Sequence, residues 1–269
     1  MLKELVHPEH LPKPGDTTSK LIKSFWPGPL TILFRKSDKV SMRVTAGLDF
    51  VAVRMPSHPI ARKLIEESNL PLAAPSANKS GRPSPTLASH VLEDLKGRIP
   101  VIVDGGPANV GVESTVVDLN RNPPLILRPG GVTFEQLKQI VPEIQVYEKS
   151  VHGTELEKAP PTPGLKYTHY SPTAKVILFE ESDNLKDLLA KRLKDEKQLN
   201  KDLKIAVIQT HKSFQYKDED LEGVQLYRLG DENAPDVIAS GIFKALRDLD
   251  HDSVNLVLVE GSQFNKRIC

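Results

Sequence analysis

A proline-rich segment near the middle of the chain limits what the rest can fold into. Residues 149–172 (KSVHGTELEKAPPTPGLKYTHYSP) contain closely spaced prolines, two glycines and almost no aliphatic periodicity. Proline fixes φ and lacks an N–H donor, so this stretch cannot continue a helix or a central strand. We therefore expect an extended linker between two domains, residues 1–148 and 173–269, which the length of 269 residues also favours.

The first domain contains many short apolar runs and few helical patterns. Strands are predicted at 30–35, 50–55, 71–74, 100–105, 114–119 and 124–128. Helices are predicted from a Thr17 or Thr18 cap to Phe25, and at 58–68, 86–95 and 133–140. Because few helices separate the strands, the pattern predicts an α+β domain with a twisted, mixed sheet rather than strict βαβ winding.

The residues after the linker alternate strand and helix more regularly. Strands are predicted at 175–179, 203–209, 224–229 and 254–260, with a long polar helix at 184–200 and an amphipathic helix at 235–249. Alternation of this kind is typical of parallel pairing. The second domain is therefore predicted to be a small α/β domain with a largely parallel sheet.

Composition excludes several functional classes. The single cysteine is the last residue, Cys269, so neither a disulfide framework within the chain nor a thiolate metal cluster is expected. No apolar run approaches the roughly 18–20 residues that cross a bilayer, and the start has no signal-peptide pattern. A cytoplasmic protein without membrane association is expected. Residues 1–148 carry 18 basic and 15 acidic side chains, a weak +3, which disfavours tight autonomous nucleic-acid binding.

The most polar loop of the first domain is APSANKSGRPSPT, residues 74–86. Successive N–H groups and hydroxyls in such a turn can form a concavity that binds phosphate or carboxylate. Its donor side chains are Ser76, Asn78, Ser80, Ser84 and Thr86. Composition alone leaves an alternative open, in which this is an ordinary loop before a helix capped by Ser84 or Thr86.

Two further loops carry glycine pairs and hydroxyl or guanidinium groups. The segment 104–118 (DGGPANVGVESTVVD) brings Ser114 and Thr115 to the start of a strand, and LRPGGVT places Arg128 at a strand end. Arg54 ends the run FVAVRMP in the same way. Each arginine can form a planar fork for phosphate or carboxylate, although a solvated charge or structural ion pair is the alternative. The scattered histidines predict no metal site, and dinucleotide, P-loop, zincin and hydrolase-elbow motifs are missing from the sequence.

Five motifs in order resemble one family. SFWPGPLT (24–31), VAVRMPSHP (51–59), PLAAPSANKSGRPSPT (71–86), GVESTVVD (111–118) and ILRPGGVT (126–133) are similar in order and spacing to the YrdC-type threonylcarbamoyl-AMP synthase family. PGLKYTHYSP resembles the segment that joins the catalytic domain to the extra C-terminal domain of two-domain members. The resemblance covers nearly all of residues 20–172 and is weaker beyond.

The resemblance implies an enzyme that condenses L-threonine, bicarbonate and ATP into L-threonylcarbamoyl-AMP and pyrophosphate, a nucleotidyltransferase. ATP would be a substrate accompanied by Mg²⁺, held mainly by phosphates and water, with no tightly bound cofactor. The product would pass to a tRNA-modifying complex that forms threonylcarbamoyladenosine, with at most weak tRNA binding by this chain.

Motif matching also implies site residues. The ATP-binding residues would be Ser76, Asn78, Ser84 and Arg128, together with Tyr167 and Tyr170 of a linker that folds over the nucleotide as a lid. The threonine-binding residues would be Arg54, the backbone around Ala74, and Ser114. No catalytic side chain is assigned, because positioned charges and oxyanion donors suit this reaction better than a nucleophile.

Family members carry a first strand and a loop with a lysine and an arginine before the SFWPGPLT motif. The 23 residues before Ser24 contain neither, so truncation at the N-terminus, and possibly at the C-terminus, is expected. The alternative function is a catalytically incomplete RNA-binding or regulatory fragment of the same family. The related carbamoyltransferase of hydrogenase maturation is disfavoured, because it carries a cysteine-rich zinc segment.

Overall fold

A computed structural model describes residues 1–147, 171–180, 184–209, 223–231 and 234–261. Within this part the contacts divide the chain into two compact units. Residues 1–75 and 113–147 form the first unit, and residues 76–112 and those from 171 onward form the second. The sequence analysis groups 76–112 with the first domain, whereas the structure packs them with C-terminal residues. The boundary at 148 and the linker at 149–172 remain predictions, since most of the linker lies outside the described residues.

The first unit contains a five-stranded mixed sheet in the order β2-β1-β3-β4-β5. Its strands are β1 Leu30–Arg35, β2 Phe50–Val53, β3 Thr115–Asp118, β4 Leu125–Arg128 and β5 Gln145–Val146. β1 pairs antiparallel with β2 and parallel with β3, while β4 pairs antiparallel with β3 and parallel with β5. The predicted mixed sheet is confirmed. The helices of this unit are α1 Leu2–Leu5, a 3₁₀ turn Pro8–His10, α2 Thr17–Phe25, α3 Pro59–Ser68 and α5 Phe134–Lys138.

Side-chain caps fix where two of these helices begin. Asp16, rather than the predicted Thr17 or Thr18, caps α2, and its carboxylate accepts a hydrogen bond from the Ser19 N–H at 2.6 Å. α5 begins with a capping box between Thr133 and Gln136. Such caps satisfy N–H groups that have no partner inside the helix. With this cap, α5 begins at Phe134, a short turn after β4 ends at Arg128.

The second unit contains a parallel four-stranded sheet in the order β6-β9-β7-β8, which confirms the predicted parallel sheet. Its strands are β6 Lys175–Phe179, β7 Ile205–Gln209, β8 Val224–Arg228 and β9 Leu256–Glu260, and its helices are α4 Ala88–Leu95, α6 Leu185–Leu199 and α7 Pro235–His251. Alternate residues of β7 and β9 face two separate apolar clusters, one including residues of α6 and the other residues of α7. Burial on both faces is typical of parallel sheets.

Two predicted strands are not formed. Residues 71–74 and 100–105 belong to neither sheet, and most of their apolar side chains are exposed, with Leu72 at 45%, Val101 at 70% and Val103 at 68%. The apolar pattern favours strands at both places. A strand also requires a hydrogen-bonded neighbour, which local pattern cannot supply. No helix in the described ranges is long and apolar enough to cross a membrane.

Candidate active site

A hydroxyl and guanidinium cluster lies where β3 begins and β4 ends in the first unit. Arg128 donates from Nε and Nη2 to the Ser114 carbonyl oxygen at 3.1 and 2.9 Å, and from Nη2 to Ser114 Oγ at 3.0 Å. Ser114 Oγ also shares a 2.8 Å hydrogen bond with Thr31 Oγ1 of β1. Glu113 Oε2 lies 3.7 Å from Arg128 Nη2. We call Thr31, Glu113, Ser114 and Arg128 the Ser114–Arg128 cluster.

The Pro-Gly-Gly turn after β4 holds this cluster tightly against the start of β3. Thr115 Oγ1 donates to the Val132 carbonyl oxygen at 2.6 Å, and the Val132 N–H donates back to Thr115 Oγ1 at 2.9 Å. A Cβ atom on Gly130 would lie 2.3 Å from the Glu113 carbonyl oxygen. Only glycine fits such a close backbone approach without displacing the chain. The turn therefore fixes the backbone of Glu113 and Ser114.

Arg54 follows β2 in the same unit, and its side chain is exposed. Desolvation by the surrounding protein is the largest influence on the pKa of Arg54 and lowers it; Glu113 raises this pKa and Arg128 lowers it further. The guanidinium stays cationic, since arginine is not deprotonated in proteins. Arg54 is therefore within electrostatic reach of the Ser114–Arg128 cluster. The structure brings together three residues that the sequence assigned to ligands: Arg54, Ser114 and Arg128.

The loop with Ser76, Asn78 and Ser84 lies in the second unit. Ser76 is exposed, Asn78 is half-buried and Ser84 is buried. Asn78 Nδ2 donates to the carbonyl oxygens of Lys79 and Arg82 at 2.8 and 3.2 Å. Asn78 Oδ1 is buried and accepts no hydrogen bond within the part of the chain that the structure describes. An acceptor is therefore available there for a donor on a ligand.

The helix that follows this loop is not capped by Ser84 or Thr86. Leu87 occupies the N-cap position of α4 without a side-chain hydrogen bond, and the Thr86 N–H instead donates to His90 Nδ1 at 3.3 Å. Burial, and then the charge of Arg247, lower the pKa of His90, which suits a neutral ring that accepts this bond. The cap that this alternative predicts at Ser84 or Thr86 is therefore not formed, whereas its description of residues 74–86 as an ordinary loop stays a prediction.

A buried ion network holds the loop. Asp94 of α4 accepts hydrogen bonds from Arg82 Nη1 at 2.6 Å, Arg247 Nη2 at 2.7 Å and the Lys79 N–H at 3.2 Å. Arg247 of α7 also donates from Nε and Nη2 to the Pro83 carbonyl oxygen at 2.9 and 2.6 Å. Asp94 and Arg247 are not predicted from the sequence, because no local pattern connects residues this far apart in the chain. Thr31 and Glu113 were also missed, although both lie inside motifs quoted above.

The pKa of Asp94 makes this network sensitive to acid. Burial alone would raise this pKa, but the hydrogen bond from Arg247 and the charges of Arg247 and Arg82 lower it below the ordinary value of 3.8. A carboxyl whose pKa is lower in the folded state stabilises that state above its unfolded pKa, and the contribution disappears as the pH falls through the folded pKa.

We therefore expect the Asp94→Asn variant to be less stable than the wild type at neutral pH, with a difference that shrinks below about pH 4. Denaturant unfolding at both pH values measures this. Asp187→Asn, an exposed position on α6, is the control and should change little at either pH. A stability difference for Asp94→Asn that is the same at both pH values would contradict the assignment.

Of the remaining predicted site residues, Ala74, Tyr167 and Tyr170, only Ala74 lies in the part of the chain that the structure describes. Ala74 is exposed, in a stretch without regular secondary structure. Tyr167 and Tyr170 lie outside the described residues. Within the described ranges, no group of three or more His, Cys, Asp or Glu side chains is arranged to hold a metal ion.

Two family models match nearly the whole chain. The Sua5–YciO–YrdC model, described as "Telomere recombination", matches residues 1–130. The model described as "Threonylcarbamoyl-AMP synthase, C-terminal domain" matches residues 132–268.

Curated relatives named threonylcarbamoyl-AMP synthase come from three groups of organisms. The Pyrococcus abyssi protein is 46% identical over 90% of this chain and 67% of its own length. The Bacillus subtilis protein is 41% identical over 94% of this chain and 70% of its own length. The Schizosaccharomyces pombe protein is 46% identical over 90% of this chain and 61% of its own length. The chain thus spans about two thirds of the length of these relatives.

A solved structure of a related protein has the same fold. The crystal structure of P. abyssi Sua5 complexed with L-threonine matches with a TM-score of 0.81 and 40% sequence identity, covering 97% of this chain and 72% of that one. Similarity at this level extends over both sheets.

Proposed function

The chain belongs to the threonylcarbamoyl-AMP synthase family, and from this membership we propose which of its residues bind each substrate. As a synthase of this kind, it condenses L-threonine, bicarbonate and ATP into threonylcarbamoyl-AMP and pyrophosphate. The single observation that carries the assignment is the convergence of Arg54 and the Ser114–Arg128 cluster in one unit. The RNA-binding alternative has no comparable support, since the relatives carry the name of the synthase.

We assign L-threonine to Arg54, Ser114 and the backbone around Ala74. The exposed guanidinium of Arg54 can form two parallel hydrogen bonds to the amino-acid carboxylate. Ser114 Oγ, oriented by Arg128 and Thr31, presents a hydroxyl to the other polar groups of the substrate. The bound L-threonine named for the related P. abyssi structure supports a threonine site in this family.

From the motif match with the family we assign Ser76, Asn78 and Ser84 of the second unit, and Arg128 of the first unit, to ATP binding. The buried Asn78 Oδ1 can accept a hydrogen bond from a ribose hydroxyl or an adenine amino group. Arg128 uses Nε and Nη2 on Ser114, which leaves the Nη1 edge of its fork for a phosphate oxygen. Tyr167 and Tyr170, outside the described residues, remain predicted nucleotide contacts in a lid.

The chemistry explains why bound charges matter more than a nucleophilic side chain. The threonine amine attacks the carbon of bicarbonate, water leaves, and a carbamate forms. A carbamate oxygen then attacks the α-phosphorus of ATP, the bond to the β-phosphate breaks, and pyrophosphate leaves. Both steps develop negative charge on oxygen, which guanidinium and hydroxyl donors stabilise when they are held in place. The enzyme's main task is therefore to hold the three substrates in contact.

Membership of the family is also the basis for what we propose about Mg²⁺, the fate of the product and tRNA binding. Mg²⁺ would be held by the triphosphate and water, a mode that needs no dedicated cage of carboxylates. The product would be consumed by a tRNA-modifying complex in the cytoplasm, with at most weak tRNA binding by this chain.

Pyrophosphate release is the direct test of the activity. With ATP and Mg²⁺ present, release should require both L-threonine and bicarbonate, and mass spectrometry should identify threonylcarbamoyl-AMP. Pyrophosphate release that is independent of threonine would contradict the proposal. Salt-dependent tRNA binding without ATP binding would favour the RNA-binding alternative.

Arg128→Ala is expected to lower ATP affinity by about 1.5–3 kcal/mol, the range for hydrogen bonds to a charged group. Calorimetry with ATP measures this. Arg121→Ala is the matched control, because Arg121 also pairs with an acidic side chain, Asp118, but lies outside the cluster. Unchanged ATP affinity in Arg128→Ala would remove Arg128 from the nucleotide site and leave it as a support for Ser114.

A further inference from the structure

One buried arginine of the C-terminal half is bonded entirely to the segment that carries the nucleotide loop. Arg247 of α7 has a side chain only 1% exposed, and Asp94 is fully buried beside it. The three hydrogen bonds of Arg247 run to Pro83 and Asp94, which are 164 and 153 residues away in sequence. A buried ion pair seldom adds net stability over apolar side chains of similar volume. If the only role of this residue were to pack α7, an apolar residue would stabilise the fold about as well as arginine.

The network of Arg247 adjoins two of the residues assigned to ATP, Asn78 and Ser84. Its carbonyl acceptor, Pro83, directly precedes Ser84. Its carboxylate acceptor, Asp94, uses the same oxygen, Oδ2, to accept from the N–H of Lys79, which directly follows Asn78. Arg247 therefore bonds directly to the backbone beside Ser84, through two hydrogen bonds, and reaches the backbone beside Asn78 indirectly, through Asp94. Two positions inside the loop, Lys79 and Pro83, are thus held by a network that includes a residue from another part of the sequence.

We propose that Arg247 is a positioning residue for the nucleotide. It holds the segment from Lys79 to Pro83 so that Asn78 and Ser84 are presented to ATP, although Arg247 itself touches no substrate. The C-terminal half thereby contributes to ATP affinity through α7. This inference rests on the proposed function, because it requires that the loop binds ATP.

The rest of the network explains why Arg247 is decisive in it. Arg82 of the loop also binds Asp94, and it binds Glu93 as well, but both carboxylates belong to α4, so these bonds tie the loop to α4 and not to α7. Its contact with α7 is the longer one, 3.6 Å from Nη2 to Asp250 Oδ2. Within the described residues, the short bonds between the loop and α7 are the two from Arg247 to the Pro83 carbonyl oxygen.

The experiment compares Arg247→Met and Arg247→Lys with Lys244→Met in the full chain. Lys244 lies on the same helix and pairs with Asp248 at the surface, so its loss removes a charge without touching the loop. Calorimetry gives the affinities for ATP and for L-threonine, and amide hydrogen exchange follows residues 79–84. Thermal unfolding reports global stability.

We expect Arg247→Met to weaken ATP binding by about 10–100-fold, in line with the cost of small displacements of binding groups. Threonine affinity should stay within about twofold of the wild type, because the residues assigned to threonine are not held by this network. Exchange at 79–84 should rise. Arg247→Lys, which keeps the charge but loses the planar fork, should recover ATP binding only partly. Lys244→Met should match the wild type in every measurement.

Two results would overturn the inference. Equal weakening of ATP and threonine in Arg247→Met would indicate a merely structural role, and unchanged ATP affinity would exclude positioning. Removing one partner of a buried pair can prevent folding, so Arg247→Met combined with Asp94→Leu provides a second variant without an uncompensated charge. Wild-type ATP affinity in that folded double variant would equally refute the proposal.

Asn78→Ala and Ser84→Ala separate this inference from the proposed function. If both leave ATP affinity unchanged, the loop is not the nucleotide site, and the assignment fails together with the inference. If they weaken ATP binding while Arg247→Met does not, the assignment stands and only the role of Arg247 is refuted.

Discussion

Replacing Arg54 with alanine is expected to weaken L-threonine binding by about 3 kcal/mol, or roughly 100-fold, while ATP affinity changes little. In the proposed assignment the exposed guanidinium pairs with the substrate carboxylate, and alanine removes both the charge and the two-pronged geometry. Calorimetric titration with each substrate measures the difference. Because arginine keeps its charge across the neutral range, the loss should not vary with pH there.

Two further variants sharpen this result. Arg54→Lys retains the charge without the planar fork, so its threonine affinity should lie between those of the wild type and Arg54→Ala. Arg43→Ala removes another exposed arginine of the same unit and should behave as the wild type. Losses of similar size for threonine and ATP in Arg54→Lys would count against a specific carboxylate contact.

Gly130→Ala is expected to lower the free energy of unfolding by about 3 kcal/mol and to abolish tight threonine binding. The added Cβ would lie 2.3 Å from the Glu113 carbonyl oxygen and 2.6 Å from the Thr115 nitrogen, both backbone atoms that a side-chain rotation cannot move. The start of β3 would have to shift, and Ser114 would move with it. Denaturant unfolding and threonine calorimetry together detect the two consequences.

Gly47→Ala is the matched control for this substitution. Gly47 lies in the same unit with φ of +83°, and a Cβ there meets nothing within 4 Å. Alanine at Gly47 should cost only the strain of the left-handed conformation, about 1–2 kcal/mol, without affecting threonine. If the two variants lose the same stability and both bind threonine normally, close backbone approach at Gly130 is not what fixes Ser114.

The sequence predicts those parts of the fold that depend on local pattern. β1 and the strands of the second sheet are predicted from runs rich in apolar residues, and all of them form. The segments at 71–74 and 100–105 show the same pattern and remain outside both sheets. The difference lies in strand pairing, which depends on distant parts of the chain and leaves no mark on the segment itself.

Prediction of the candidate site residues has the same limit, because local sequence does not show contacts between distant parts of the chain. Arg54, Ser114 and Arg128 were found because each lies in a motif that resembles a known family, and the structure explains their proximity through the pairing of β3 with β1 and β4. Arg247 resembles any other arginine on an amphipathic helix. Its importance follows from burial and from partners more than 150 residues away, neither of which is visible in the sequence.

The separation of bonded residues along the chain also bears on the order of assembly. The bonds between Thr115 and Val132 close a loop of 17 residues, whereas Arg247 reaches Pro83 across 164. Closing a longer loop costs more entropy, and contacts close in sequence tend to form first. During synthesis on the ribosome, all residues of the Ser114–Arg128 cluster and its supporting turn are available once Val132 has emerged. The loop beside Asn78 can be fixed by Arg247 only after α7 has been synthesised. The Ser114–Arg128 cluster is thus expected to be built before the loop beside Asn78 is fixed.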